Sequence, residues 1–130
     1  MSCAVDDSAG SAQTITNDIG SVTISMPSAV QDITGINSTG MERLLLLADL
    51  AITLNGPAFN DAANMSHAVF KNFRTILAGQ VGRTVTLVHS GQTLAEEIIL
   101  TDYQLTRPQD GSLSFSAPGV MSDGTLGGWS

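Results

Sequence analysis

Residues 41–55 read MERLLLLADLAITLN, and the assignment of this stretch decides the fold. Its even positions, Leu44, Leu46, Ala48, Leu50, Ile52 and Leu54, are all apolar, while Arg43, Asp49, Thr53 and Asn55 fall on the odd side. Period-two alternation marks a strand with one face in a core. Leu45 and Leu47 spoil the polar side, which predicts that the first half of the strand is covered on both faces. A helix competes for the opening residues, because Thr39 and Glu42 have capping-box spacing and Leu, Ala, Glu and Arg all favour helix. The reading adopted is a helical turn near residues 39–44 running into a strand that ends at Asn55-Gly56-Pro57.

Upstream, Ser21 to Met26 alternates cleanly, with Val22, Ile24 and Met26 inward, and Pro27 stops it. Residues 28–40 scatter Val30, Ile33 and Ile36 among turn formers, so an extended loop and a loose hairpin both remain open. Residues 1–18 are small and polar apart from a short strand signal at Gln13 to Thr16, and read as a flexible N-terminal arm; on composition a tail without a role is an equal alternative. Downstream, Ala62, Met65, Val69, Phe73 and Ile76 recur at helical spacing and Gly79 stands at the expected stop, predicting a helix over about 61–78. From Gly82 the pattern is β again. Val85 and Leu87 share one face of Arg83 to His89, and Thr93 to Thr106 is a long strand with Ile99, Tyr103 and Leu105 on one side. Arg107 to Gly111 turns the chain, and Ser112 to Ala117 alternates until Pro118. The organisation expected is a mainly β fold, with residues 19–130 as a single domain.

Bulk properties narrow the function. At 130 residues the chain can bury a core without disulfides or metal, and its single cysteine, Cys3, forms no internal bridge. It has no run long enough to span a membrane and no charged-then-apolar leader, so folding in a cytosol is the expectation. Twelve acidic and five basic residues give a net charge of -7, a poor balance for gripping nucleic acid. Only 13% of residues are charged, about half the usual share, and Lys71 is the sole lysine. Isolated sheets commonly guard their edges with lysine or proline; this chain is under-guarded, as a polymerising subunit would be.

Catalytic and metal signatures are absent. His67, His89 and Cys3 lie in three different elements without ligand spacing. Glu96 and Glu97 are adjacent, point to opposite faces of a strand, and read as a solvated strand start. No glycine-rich phosphate loop or nucleophile elbow occurs, so no enzyme activity and no cofactor are expected.

Three segments, in order, resemble the short tail tube proteins of long-tailed bacteriophages: VQDITGIN at residues 30–37, MERLLLLADLAITLNG at 41–56, and TDYQLTRPQDGSLSFSAPGVMSDGTL at 101–126. The resemblance covers roughly residues 5–126. It implies two packed antiparallel sheets with a flanking helix, in a sandwich- or barrel-like unit. It also implies hexameric rings whose inner sheets join into one β-barrel, stacked into a hollow tube through the N-terminal arm, a long loop or hairpin, and the C-terminal segment. Implied partners are copies of the chain and other tail proteins such as tape measure, terminator and distal tail proteins, in the virion after assembly in the host cytoplasm. DNA would be cargo that is conducted and not bound, and no membrane is involved. A conduit for DNA wants an acidic or neutral lumen, so Asp49, Thr53, Glu97 and Asp102 are the candidate lumen-lining residues, against the plainer reading of ordinary solvent-facing groups. Arg43, Arg83 and Arg107 are candidates for pairing with acids of an adjoining subunit, each worth about 0 to 1 kcal/mol. Competing readings are a tail terminator or head-tail connector subunit, a secretion tube of related fold, and a soluble β-barrel binding a small apolar ligand, which the 5% aromatic content disfavours.

Overall fold

A computed structural model of the chain describes residues 1–57 and 65–130. In chain order the described elements are β1 (Ser2–Asp6), β2 (Ala12–Thr14), a 3-10 turn (Thr16–Asp18), β3 (Ser21–Ser25), β4 (Ser28–Asp32), β5 (Arg43–Ala48), β6 (Ala51–Gly56), α1 (Ser66–Phe70), β7 (Arg83–His89), β8 (Gln92–Leu100), β9 (Gln104–Thr106) and β10 (Ser114–Met121). The large sheet runs β2-β1-β7-β8-β10-β6-β3, with β9 also on β10, and β4 and β5 form a ribbon of their own. Every pairing is antiparallel. The fold is therefore mainly β, as the patterns predict, with one short helix among the described residues.

The large sheet supplies both layers by curling on itself. Val22 and Ile24 of β3 line a small cavity together with Leu87 of β7, although three strands separate β3 from β7 in sheet order. Inward side chains from both halves meet in one core, including Cys3, Val5, Ile52, Leu54, Val85, Leu87, Leu94, Ile98, Phe115 and Ala117. The β7–β8 hairpin is closed by Ser90 and Gly91, both at positive φ (52° and 81°), the mirror-image turn whose twist suits paired strands. α1 plugs one end: Val69 and Phe70 are buried, and the Phe70 ring lies 5.5 Å from that of Tyr103 and 5.6 Å from that of Phe115. At that end Gly56 passes so close to the Asp18 carbonyl and the Phe115 ring that a Cβ would collide with both.

The stretch 41–55 is two strands in two sheets. Leu50, Ile52 and Leu54 are buried in the core as the alternation predicts. Leu44 and Leu46 are not, because β5 belongs to the ribbon. The corner is at Asp49, whose N–H donates to the Pro27 carbonyl at 2.8 Å and whose Oδ1 accepts the Leu50 N–H at 2.7 Å. Register carries through the corner, Ser25 opposite Ala51 and Ser28 opposite Ala48, and then slips, with Val30 opposite Leu45. One extra residue on β5 makes a bulge there. No helical turn forms at 39–44; the Glu42 N–H donates to Thr34 Oγ1 instead of joining a capping box with Thr39.

Other expectations are revised by specific contacts. Residues 1–18, read as a flexible arm, are placed in the large sheet: β1 pairs with both β2 and β7, and Cys3, Val5 and Ile15 are wholly buried. Of the helix expected over 61–78, residues 61–64 lie outside the described residues and the described helical part ends at Phe70, followed by tight turns with Phe73 N–H to Phe70 O and Thr75 N–H to Asn72 O. The long strand 93–106 breaks at 101–103. Gly119 faces Leu100 while Phe115 faces Leu105, a slip of one residue that reverses the alternation. Hence Leu94, Ile98 and Leu100 point inward and Ile99 outward, opposite to the expected face. β10 runs on through Pro118, whose carbonyl accepts the Thr101 N–H at 2.9 Å. Its missing donor faces the same side, where the β8–β9 ladder is interrupted, so the proline costs no strand bond.

Candidate assembly surfaces

The β4–β5 ribbon stands off the body with apolar side chains on both faces. Leu45 is 70% and Leu47 90% exposed, and Val30, Ile33, Met41, Leu44 and Leu46 are exposed with them. Ile36 at the tip is 101% exposed. The ribbon is shaped by its own bonds: Asp32 Oδ1 accepts the Thr34 N–H and hydroxyl, and the Ile33 N–H donates to the Glu42 carbonyl. So many large apolar side chains exposed on one projecting ribbon mark an interaction surface, since a monomer normally keeps its exposed apolar groups scattered. A run of four leucines cannot alternate, and that is the signal in the sequence that a buried strand was the wrong reading.

A second surface is the outer face of β3, β6 and β10. Cross-strand rows Ser21–Asn55–Ser116, Thr23–Thr53–Pro118 and Ser25–Ala51–Val120 follow from the register. None of these side chains is charged. The half-sheet ends in two edges without a further strand among the described residues, β3 beyond β6 and β9 beyond β10.

The residues singled out in the sequence are not gathered in one place. Thr53 lies in the middle row of that uncharged face. Asp49 holds the ribbon corner, and Asp102 sits in the β8–β9 break with Oδ1 accepting the Tyr103 N–H at 2.8 Å. Glu97 is on the outward side of β8, where Thr84 Oγ1 donates to its Oε1 at 2.6 Å. Arg43 is exposed on the ribbon opposite Asp32, and Arg107 is exposed in the turn before β10. Arg83 is spent inside the subunit: it is 2% exposed, and its guanidinium donates to the carbonyls of Val69 (2.7 Å), Thr75 (2.9 Å) and Asn72. It holds the chain just after α1, a role that helical periodicity alone does not disclose.

Glu96, expected at a solvated strand start, is 3% exposed on the core face of β8 beside Leu94 and Ile98. Its Oε1 accepts the Gly127 N–H, so it anchors the C-terminal segment, which also pairs Ser130 with Thr93 through two backbone bonds. Burial pushes the Glu96 carboxyl above its ordinary value, with Asp123 adding to the rise and the Gly127 bond opposing it. Asp6 is raised for the same first reason. A raised carboxyl keeps its proton longer in the folded chain, so its contribution to stability is full at or below the ordinary carboxylate range and fades as pH rises through the raised value. Glu96→Gln, which keeps the acceptor for Gly127, is expected to raise the melting temperature at pH 7 by ~2–4 °C and to change it little at pH 4. Circular dichroism melts at the two pH values check this; equal shifts at both would contradict it.

The Cys3 thiol is buried and pushed up to about 11, far from a reactive thiolate. His67 Nδ1 lies 3.1 Å from the Tyr103 hydroxyl. Among the described residues no group of three or more His, Cys, Asp or Glu side chains is placed to hold a metal, and no helix is long and apolar enough to cross a membrane.

These features define a class of β protein, a curled antiparallel sheet plugged by a short helix and bearing a projecting apolar ribbon. Among solved structures, ten chains match it. One is a chain from the tail of an empty gene transfer agent particle with C6 symmetry, 19% identical, covering 100% of this chain and 93% of that chain at a TM-score of 0.69. Another is from the virion of a native gene transfer agent particle, 20% identical, covering 92% and 87% at a TM-score of 0.65. At these identities the likeness is one of fold. No protein-family model and no curated protein matches the chain.

Proposed function

We propose that the chain is a structural, non-catalytic subunit of a bacteriophage tail tube, forming hexameric rings that stack into a hollow conduit for genome delivery. The observation that carries this reading is the half-sheet β3-β6-β10-β9, which has an uncharged outer face between two unpaired edges. Joining the β3 edge of one copy to the β9 edge of the next would satisfy both sets of backbone groups and extend the sheet around a ring. The face turned to the axis would then carry hydroxyls and small apolar groups, with Thr53 in its midst and no cation to hold a phosphate. Asp49, Glu97 and Asp102 would contribute negative charge at the margins of that surface, and Arg43 and Arg107 remain available for pairing with neighbouring copies. The tail chains of shared fold support the reading. Tape measure, terminator and distal tail proteins would be its partners, in the virion after assembly in the host cytoplasm, with DNA as unbound cargo.

Negative-stain microscopy of the purified protein tests this. Tubes of stacked rings are expected. Isolated rings would favour a terminator or connector, and a monodisperse monomer at high concentration would reject the proposal.

A further inference from the structure

We propose that Asp6 and Glu97 share a single proton through the Thr84 hydroxyl, making the junction of β1 with β7 and β8 a pH-sensitive clasp on the N-terminal strand. The clasp lies within one subunit and does not depend on the tube reading. The register, Val5 opposite Val85 and Thr84 opposite Glu97, places Asp6, Thr84 and Glu97 in one row across three strands. Thr84 Oγ1 donates to Glu97 Oε1 at 2.6 Å, the short length of a hydroxyl bonded to an ionised carboxylate. On the other side, the N–H and the hydroxyl of Thr84 both lie within hydrogen-bonding reach of the Asp6 carboxyl.

A hydroxyl has one hydrogen to give. Glu97 Oε2 is buried with no hydrogen-bond partner, so the Thr84 hydrogen is what stabilises the carboxylate charge. With that hydrogen committed, Thr84 Oγ1 meets an ionised Asp6 lone pair against lone pair. A protonated Asp6 removes the conflict, because its O–H donates to Thr84 Oγ1 while its other oxygen accepts the Thr84 N–H. The proton therefore resides on buried Asp6 and the negative charge on Glu97. Burial raises the Asp6 carboxyl, the charges of Glu97 and Asp7 add to the rise, and the Thr84 contacts oppose it. The surrounding groups leave this proton in place. Asp7 turns its carboxylate to the N–H groups of Ala9 and Ser11 and to Gln13. Arg83 acts on Asp6 through its charge, but its guanidinium donates to the carbonyls of Val69 and Thr75. β2 sets uncharged Ala12 opposite Asp6, and past β10 Ser122 bonds the Glu97 carbonyl while Asp123 acts on Glu96 of the other face. A proton bound more tightly in the folded chain stabilises it fully at or below the ordinary carboxylate range, and ceases to as pH rises through the raised value. β1 is thus held best in acid and loosens as the pH climbs.

Circular dichroism melts of the full chain from pH 4 to pH 8 test the clasp. Asp6→Asn supplies the same donor and acceptor to Thr84 at every pH, and is expected to gain ~3–5 °C on the wild type at pH 8 over its difference at pH 4. Glu97→Gln frees the Thr84 hydrogen for an ionised Asp6, and is expected to give a similar gain. The double variant should gain no more than either single change, because one proton cannot be lost twice. Gains that add in the double variant, or single-variant profiles parallel to the wild type, would overturn the sharing. If Asp6→Asn shows no cooperative melt, Glu97→Gln decides alone: its gain supports the clasp and the lack of one overturns it.

Discussion

A chain that begins at Ile19 is expected not to fold. Removing residues 1–18 takes three wholly buried side chains, Cys3, Val5 and Ile15, out of the core and strips β7 of its β1 partner over four residue pairs. It also removes the Asp18 carboxylate that accepts the Ser66 N–H at 3.0 Å at the start of α1, and the Thr16 hydroxyl that receives the Cys3 N–H. Each fully buried aliphatic side chain is worth about 1.5–3 kcal/mol, and a domain of this size has a total stability of about 5–15 kcal/mol. Loss of the buried trio together with the ladder is enough to exhaust that margin. Circular dichroism and limited proteolysis should show no cooperative melt and rapid digestion. A shortened chain that melts cooperatively at the parent midpoint would remove β1 from the core.

The same segment shows why part of the fold was hidden in the sequence. Ser2 to Asp6 offers only two inward residues, one of them a cysteine, and its partner β7 begins some eighty positions later; no local pattern discloses so distant a pairing. By contrast, Val22 and Ile24, Val85 and Leu87, and Phe115 and Ala117 alternate largely with Ser or Thr, and those strands were legible at once. Misreadings of face had two sources. The slip between β8 and β9 reverses the alternation midway, so a correct strand signal led to the wrong side for Ile99, whereas Leu44 is exposed because β5 leaves the large sheet for the ribbon. Arg83 and Glu96 were misplaced for a different reason. A charged residue on a strand defaults to solvent, and only the carbonyls left open after α1, or the Gly127 amide, make burial tolerable.

Replacing Leu45 and Leu47 with serine should separate folding from assembly. At 70% and 90% exposure these side chains contribute little to the packed core, so the isolated subunit should keep its melting temperature within ~2 °C, as surface changes do. Assembly should respond very differently. If a neighbouring copy covers the ribbon, each leucine forfeits about 1.5–3 kcal/mol of burial, and every 1.4 kcal/mol is tenfold in the concentration at which association sets in. The pair together predicts a rise of a hundredfold or more, seen by sedimentation as loss of the pelleting fraction at concentrations where the parent forms tubes. Because the ribbon shares no strand with β9 and joins the large sheet at the Pro27–Asp49 corner, edge pairing within a ring should survive the change. The expected residue is therefore free rings, with monomers only on further dilution. Tubes forming at the parent concentration would mean that these leucines meet no other copy, and the apolar ribbon would need another partner.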